Sequence, residues 1–350
     1  MSKENLLKSI YYQLCLIVVI IFIYLMSYLA NILIPLVLAV FLGILFQPIL
    51  KYLKAKGINQ YISLVIILLM LLGAVTLFGT VVSNTLNQII GERHQYLELL
   101  DDKTSAILHA WNKLSGNDFN FTSLVQDIIS HIDANWALRA SGYLLAEVGD
   151  STEVFLLTSV FLIFLIDSIM NYPSYIAYLI GQSNNRNHII ERFEVVKKSI
   201  VKYIIVKAVA SFSMSVLFGL TALSFNLDFA YFWAFITFFM YFIPTVGAFV
   251  VTIPVMVLAY IQLSFPSFII LTSILFVGQF VIANLIEPRY LGNSVSLSPV
   301  SILVGLIFWG YSWGIIGMVL SVPILIVIRE ILKNFPDFNF FVRLISKRNS

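Results

Sequence analysis

From Tyr231 through Ile286 the chain carries no charged side chain. Glu287 and Arg289 interrupt the run, and no further charge appears until Arg329. An uncharged apolar run of about 20 residues already spans a bilayer, so this block predicts several membrane helices. Pro244, Gly247, Pro254, Gly305, Gly310, Gly314, Gly317 and Pro323 punctuate it. Such residues persist in membrane helices where neighbouring helices or cavity-lining groups satisfy the freed backbone. The block therefore reads as broken or closely packed helices around something, not as a simple anchor.

Composition extends that reading to the whole chain. Of 350 residues 60% are hydrophobic and 11% charged, and the mean hydropathy is +0.94, whereas a soluble domain is about 25% charged. The expected class is an all-α, polytopic integral membrane protein of about eight transmembrane helices. A net charge of +3, dispersed beside the apolar runs, gives no footprint for nucleic acid; the partner it implies is the lipid bilayer. The single cysteine, Cys15, excludes a disulfide framework. Lys3 and Lys8 precede the first apolar run as in a signal peptide, but no small-residue cleavage site follows, so this run reads as an uncleaved first span.

Spans are expected near 14–30 and 32–50, joined tightly at Asn31 as a hairpin, and near 61–83. Lys51, Lys54 and Lys56 then lie on the side of Lys3 and Lys8, which the positive-inside rule makes cytoplasmic. Residues 1–83 form an N-terminal membrane section. Residues 84–153 hold ten Asp or Glu against four Lys or Arg and are expected outside. Leu97, Leu100, Thr104, Leu108 and Trp111 form one helical stripe there, and Val125, Ile129, Ile132, Trp136 and Ala140 another. This insert is either a vestibule or docking domain or a plain extension of two spans.

Residues 154–331 read as the transmembrane core. A span at 154–170 ends near Asp167. A basic amphipathic helix near 186–204 is expected at the cytoplasmic interface, followed by a span at 206–226 reaching Asp228. The 231–262 stretch is expected as one span broken at Pro244, with a re-entrant pair of half-helices as the alternative. Spans at 266–286 and 299–331 leave a basic tail, 332–350, in the cytoplasm. Both termini are thus expected in the cytoplasm. A glycine followed by a proline recurs at Gly43/Pro48, Gly247/Pro254 and Gly317/Pro323, a pattern that internal duplication in transporters leaves behind.

Two motifs that would mark an enzyme or a motor are absent from the sequence: no GxxxxGK[ST] and no HExxH occurs. His94, His109, His131 and His188 stand singly. No catalytic residue, metal ligand or cofactor is assigned. Polar atoms instead gather at one span's end, where Gln279, Asn284, Glu287 and Arg289 precede or flank Pro288. Asn284 and Glu287, three apart, are expected on one face, with Pro288 ending the helix. Ionisable groups at such depth line a path or pair with one another. Glu287 therefore reads either as a coupling carboxylate or as the partner of Arg289, with Asp167 and Asp228 as further carboxylates at span ends. Gly310, Gly314 and Gly317 are expected to let a second helix approach closely, beside Trp309, Tyr311 and Trp313.

The phrases FIPTVGAFVVTIPVMVLAYIQ, EPRYLGNSVSLSP and FWGYSWGIIGMVLSVPI resemble the autoinducer-2 exporter (AI-2E) family of PerM-like bacterial permeases. The likeness runs through the chain in order, and the C-terminal block carries its specific part. One departure stands out: KYIIVK keeps Tyr203 and Lys207 but has Ile205 and Val206 where the family has an Arg-Gly pair. The resemblance implies export of a small molecule, with the furanone-type signal autoinducer-2 as namesake substrate, and a homo-oligomer, a pentamer. Some relatives are sodium (lithium)/proton antiporters, which makes a monovalent cation the alternative substrate. A third possibility from the residues is an envelope scaffold docking partners through 84–153.

Overall fold

The computed structural model describes residues 13, 17, 21, 23–92, 95, 96, 98, 99, 103, 134–180, 186–292, 297–333 and 338–346, with backbone alone for 86, 90, 134–151, 176, 177, 179, 180 and 186–188. These residues are almost wholly helical. The chain divides into two compact units: Met1–Ile66, Glu153–Ile205 and Leu291–Ser350 in the first, Ile67–Thr152 and Val206–Tyr290 in the second.

In the first unit α1 (Ala30–Ala55) carries Pro35 and Pro48 inside it and Lys54 in its last turn, where a cation complements the helix dipole. The expected hairpin at Asn31 is absent. Leu29 N donates to Leu25 O and Leu33 N to Leu29 O, both at 2.9 Å, so helical bonding passes the bend at Leu29 without reversal. Gly57 takes the left-handed turn after α1, with φ 84°. The Asn59 side chain then caps α2 (Gln60–Gly91) by accepting from Tyr61 N at 2.9 Å. Helix α3 (Ala134–Met170) packs its end on α1. Gly43 makes room for Leu162 and Ile169, and Gln47 Nε2 donates to Ile169 O at 2.8 Å. A short α4 (Tyr172–Ile180) follows.

Helix α5 (Arg186–Ser224) is unbroken. The expected interfacial helix near 186–204 is thus collinear with the next span. Part of its apolar face is taken up inside the protein: Ile200 and Tyr203 are buried in a core with Phe41, Ile44, Leu320, Val322 and Ile326.

Two hairpins replace two expected spans. In the second unit α6 (Ala230–Met240) and α7 (Val246–Gln262) flank a turn at Tyr241–Thr245. Eleven residues of α helix rise about 16 Å, half of what a bilayer core requires. Asp228 N, before α6, donates to Gln262 Oε1, at the end of α7, at 3.0 Å, so the two ends of this segment meet. The stretch 231–262 is a hairpin, as in the alternative expectation, because the Pro244 turn reverses the chain instead of tilting it. Ala230, Trp233, Val251, Val255 and Ala259 form its seam, packed with Met214 and Phe218 of α5 and Leu271 and Leu275 of α8 (Phe265–Val281).

After α8 come a π-turn (Ile282–Ile286) and α9 (Glu287–Leu291). Helix α10 (Pro299–Leu332), back in the first unit, is folded on itself. Gly314 has φ 63° and ψ −147°, a conformation open essentially to glycine alone. A Cβ on Gly305 would stand 2.7 Å from Leu325, and one on Gly317 2.1 Å from the Trp309 carbonyl. In a straight helix Gly305 and Leu325 would be about 30 Å apart. The expected span 299–331 is therefore a second hairpin of 299–313 and 315–332. The glycines do admit a close helix, and that helix is the chain's own next one. Trp309 and Trp313 are buried within the unit while Tyr311 is 86% exposed, so only Tyr311 fits an aromatic belt. Helix α11 (Asn339–Ile345) returns to the start of α10, where Ser298 N donates to Ile345 O at 2.7 Å.

Most of the expected stripes in 84–153 lie outside the described residues; Trp136 and Ala140 are described only as α3 backbone. The ends of this insert are continuations of α2 and α3. Six helices among the described residues are long and apolar enough to cross a membrane, the folded-back Pro299–Leu332 being one of them.

Candidate functional site

The cluster expected around Glu287 is dispersed. Gln279 turns to Thr252 of α7, whose hydroxyl lies 3.2 Å from its Oε1. Asn284 is exposed and donates to Phe280 O of its own helix at 3.1 Å. Arg289 is exposed as well. The cause is the π-turn, in which Glu287 N bonds Ile282 O, five residues back. One extra residue in the turn rotates everything after it, so Asn284 and Glu287 no longer share a face. The same widened turn accommodates Pro288 inside the helix, which continues to Leu291 instead of stopping.

Glu287 pairs with Lys207 and not with Arg289. Lys207 Nζ lies 3.1 Å from Oε1 and 3.3 Å from Oε2, with side-chain exposures of 8% and 15% for the two residues. The ammonium also sits 4.5 Å from the centroid of the Tyr241 ring. Tyr241 opens the turn of the first hairpin, so the hairpin's tip rests on the ion pair. Sequence reading missed Lys207 as Glu287's partner. The signal available was its position: it is the only cation of α5 beyond Lys202, with nothing but uncharged residues after it in that helix.

At its other end the hairpin borders a cavity of about 830 Å³ in the same unit. Its polar lining is Asn84, Thr85, Gln88 and Glu92 from the end of α2 and its exit, with Asn226 and Asp228 before α6. The Tyr96 hydroxyl bridges Glu92 at 3.0 Å and Asp228 at 2.8 Å. Burial, and then the Asp228 and Glu92 carboxylates it meets, push the Tyr96 phenol above its usual range. Asp228 also accepts from Gln262 Nε2. Lys103 Nζ donates to the carbonyls of Tyr260, at 2.8 Å, and Leu263, an ammonium on the negative end of α7. Burial lowers its affinity for a proton.

Asp167 belongs to the first unit and to a separate arrangement. It accepts from Gln60 Nε2 at 2.8 Å and from the Tyr61 hydroxyl at 2.9 Å, which tie the start of α2 to the end of α3. Pro244 lies in the hairpin turn. Pro254 stays inside α7 and Pro323 inside the second arm of α10, the latter buried.

Two hairpins, a buried ion pair beneath one of them and a largely apolar cleft with a polar side at its mouth fit a protein that moves solutes. The model of the AI-2E family transporters matches residues 14–337. The chain belongs to the AI-2E transporter family. It is 22% identical over 324 residues to the AI-2 transport protein TqsA of Escherichia coli, covering 91% of each chain. YhhT of the same organism is 22% identical over 295 residues, 84% of this chain and 82% of that one. YrrI of Bacillus subtilis is 21% identical over 311 residues, 87% of each. The protein is accordingly a multi-pass membrane transporter.

Proposed function

We propose that this transporter exports a small polar solute of the autoinducer-2 kind across the bacterial cytoplasmic membrane. The observation that carries the reading is the cleft at the mouth of the first hairpin. Its amides, hydroxyl and carboxylates, on one side of a largely apolar wall, supply hydrogen bonds to a small polar molecule leaving water. Likeness to a protein named for AI-2 transport supports the substrate class.

Sidedness follows from charge. α1, α2, α3, α5 and α8–α9 each cross once, and each hairpin returns the chain to the side it left. With Lys51, Lys54, Lys56, the start of α5, Lys333 and Arg343 in the cytoplasm, the acidic insert, Asn226 and Ser264 face outward. The same count puts the residue-23 end of the first helix outside, opposite to the expectation for Lys3 and Lys8. A homo-oligomer remains part of the proposal, on family resemblance.

The test is transport in proteoliposomes of the full chain, with and without a proton gradient, against a panel of polar solutes and sodium. Solute efflux that falls at least tenfold in Asn84→Ala/Gln88→Ala is expected. Sodium–proton exchange without solute movement would instead establish the antiporter reading, which the buried Lys207–Glu287 pair favours.

A further inference from the structure

We propose that the first unit holds a site for an anionic phospholipid of the cytoplasmic leaflet. One acyl chain lies between α1, the start of α5 and the second arm of α10, and the phosphate rests against Lys333. The binding stands apart from the export reading; the choice of leaflet alone rests on the sidedness given with it.

A cavity of about 580 Å³ lies between these three helices, inside the range of about 300–1,000 Å³ that small-molecule sites occupy. Val37, Val40, Phe193, Val196, Val327 and Ile331 are among its walls. Arg192 and Glu330 are the only polar side chains among the described residues that line it. Ordered water needs two to four polar partners, so hydrocarbon suits this space better than water does. Val40, Ile189 and Ile331 line it and are nonetheless exposed. The cavity therefore opens at the protein's surface, where a flexible acyl chain can enter from the bilayer.

The charge beside it is positive. The stretches 36–44, 189–200 and 324–333, which hold the lining residues, carry Arg192, Lys197, Lys198, Arg329 and Lys333 against Glu191, Glu194 and Glu330. Glu194 is taken by Lys197 at 2.9 Å. Glu330 is oversubscribed. Arg329 Nε at 3.0 Å, Arg329 Nη2 at 2.7 Å and Lys333 Nζ at 2.7 Å all donate to its Oε1, yet a carboxylate oxygen has only two lone pairs. Arg329 is buried, whereas the Lys333 side chain is 40% exposed, so the lysine is the donor that can turn outward. A phosphate beside the apolar cavity offers it the acceptors that Oε1 lacks. A basic rim on an apolar space between membrane helices at their cytoplasmic ends recognises anionic lipid headgroups. With its chain in place the lipid touches three helices, and a ligand that binds only the folded protein stabilises it.

Thermal unfolding of the full-length protein in a neutral detergent tests this, with phosphatidylglycerol, phosphatidylcholine or glycerol phosphate added. Phosphatidylglycerol should raise the midpoint saturably and phosphatidylcholine much less. Glycerol phosphate, the charge without the chains, should leave it unmoved. Lys333→Gln should raise the half-saturating phosphatidylglycerol concentration about fivefold, the contribution of one lysine near an anionic surface. Lys54→Gln, on the exposed end of α1, should leave that concentration unchanged. Val40→Trp, which puts an indole into the cavity, should fold and lose most of the response; Val327→Phe fills the same space from α10 if the tryptophan is not accommodated. Equal responses to the two phospholipids overturn the proposal, as does a full response to glycerol phosphate. An equal loss in Lys54→Gln would make the attraction diffuse and also overturns it. So does a filled variant that splits an oligomer on size exclusion yet keeps its lipid response, which would make the cavity a contact between copies. The readout is binding, so a protein that takes the lipid yet moves no solute would defeat the export reading and leave this one standing.

Discussion

Single glycines decide the shape of the hairpins. A Cβ on Gly247 would stand 1.7 Å from the Met240 carbonyl oxygen, a backbone atom that cannot step aside without moving α6. Gly73 of α2 has open space at the same point. Gly247→Ala should cost about 1–3 kcal/mol by overpacking, and Gly317→Ala similar. Gly73→Ala should be neutral or stabilising by about 0.5–1 kcal/mol. Thermal unfolding of the three variants checks this, and an unshifted midpoint for Gly247→Ala would remove the close approach from the fold. The sequence made Gly247 and Gly317 conspicuous but not their partners, since a glycine needed for packing and one needed for reversal look alike in a string. Gly314 shows the difficulty best: GxxxG spacing suggested a helix face, and its backbone angles make it a corner. Glu287 stood out in the sequence because it and Arg289 alone interrupt the uncharged block. Lys207 was not legible as its partner, because the pairing spans eighty residues and a π-turn whose phase no residue pattern announces.

Among elements, the first hairpin is the one held at both ends. Its tip rests on Lys207 and Glu287, while its base is fastened by Asp228 to Gln262, by Tyr96 to Asp228 and by Lys103 to the last carbonyls of α7. Tyr96 and Lys103 come from the insert, which therefore acts as a clasp on the hairpin's mouth as well as a link between α2 and α3. Lys103→Met should loosen that clasp while leaving the seam of Trp233, Val251 and Val255 intact. Hydrogen exchange at the base of the hairpin, residues 226–232 and 258–264, should then speed up at least severalfold, with exchange in α8 unchanged. Equal protection in the variant would mean that the insert does not hold the hairpin. Of the three glycine-then-proline pairs, Gly247/Pro254 and Gly317/Pro323 lie on the second arm of a hairpin and Gly43/Pro48 on the unreversed α1. Hydropathy could not separate hairpin from span, since both are continuous apolar runs, and the short α6 was concealed by its fusion to α7 in one uncharged stretch.

For the whole molecule, class and family were readable from composition and from the C-terminal phrases, because a bilayer imposes its demands on every span. Where the chain reverses was not. A turn inside an apolar block costs no charge and leaves no polar marker, so 231–262 and 299–331 looked like spans; conversely Asn31, a polar residue between two apolar runs, looked like a turn where α1 only bends. The central claim is that the uncharged block re-enters the membrane from one side and leaves by the same side. Single cysteines at Asn226, Ser264, Ser298 and Lys333, introduced in a Cys15→Ser background, measure it directly with a membrane-impermeant thiol reagent on intact cells. Asn226→Cys and Ser264→Cys should both label from outside, and Ser298→Cys and Lys333→Cys only after permeabilisation. Labelling of Asn226→Cys and Ser264→Cys from opposite sides of the membrane would contradict the account.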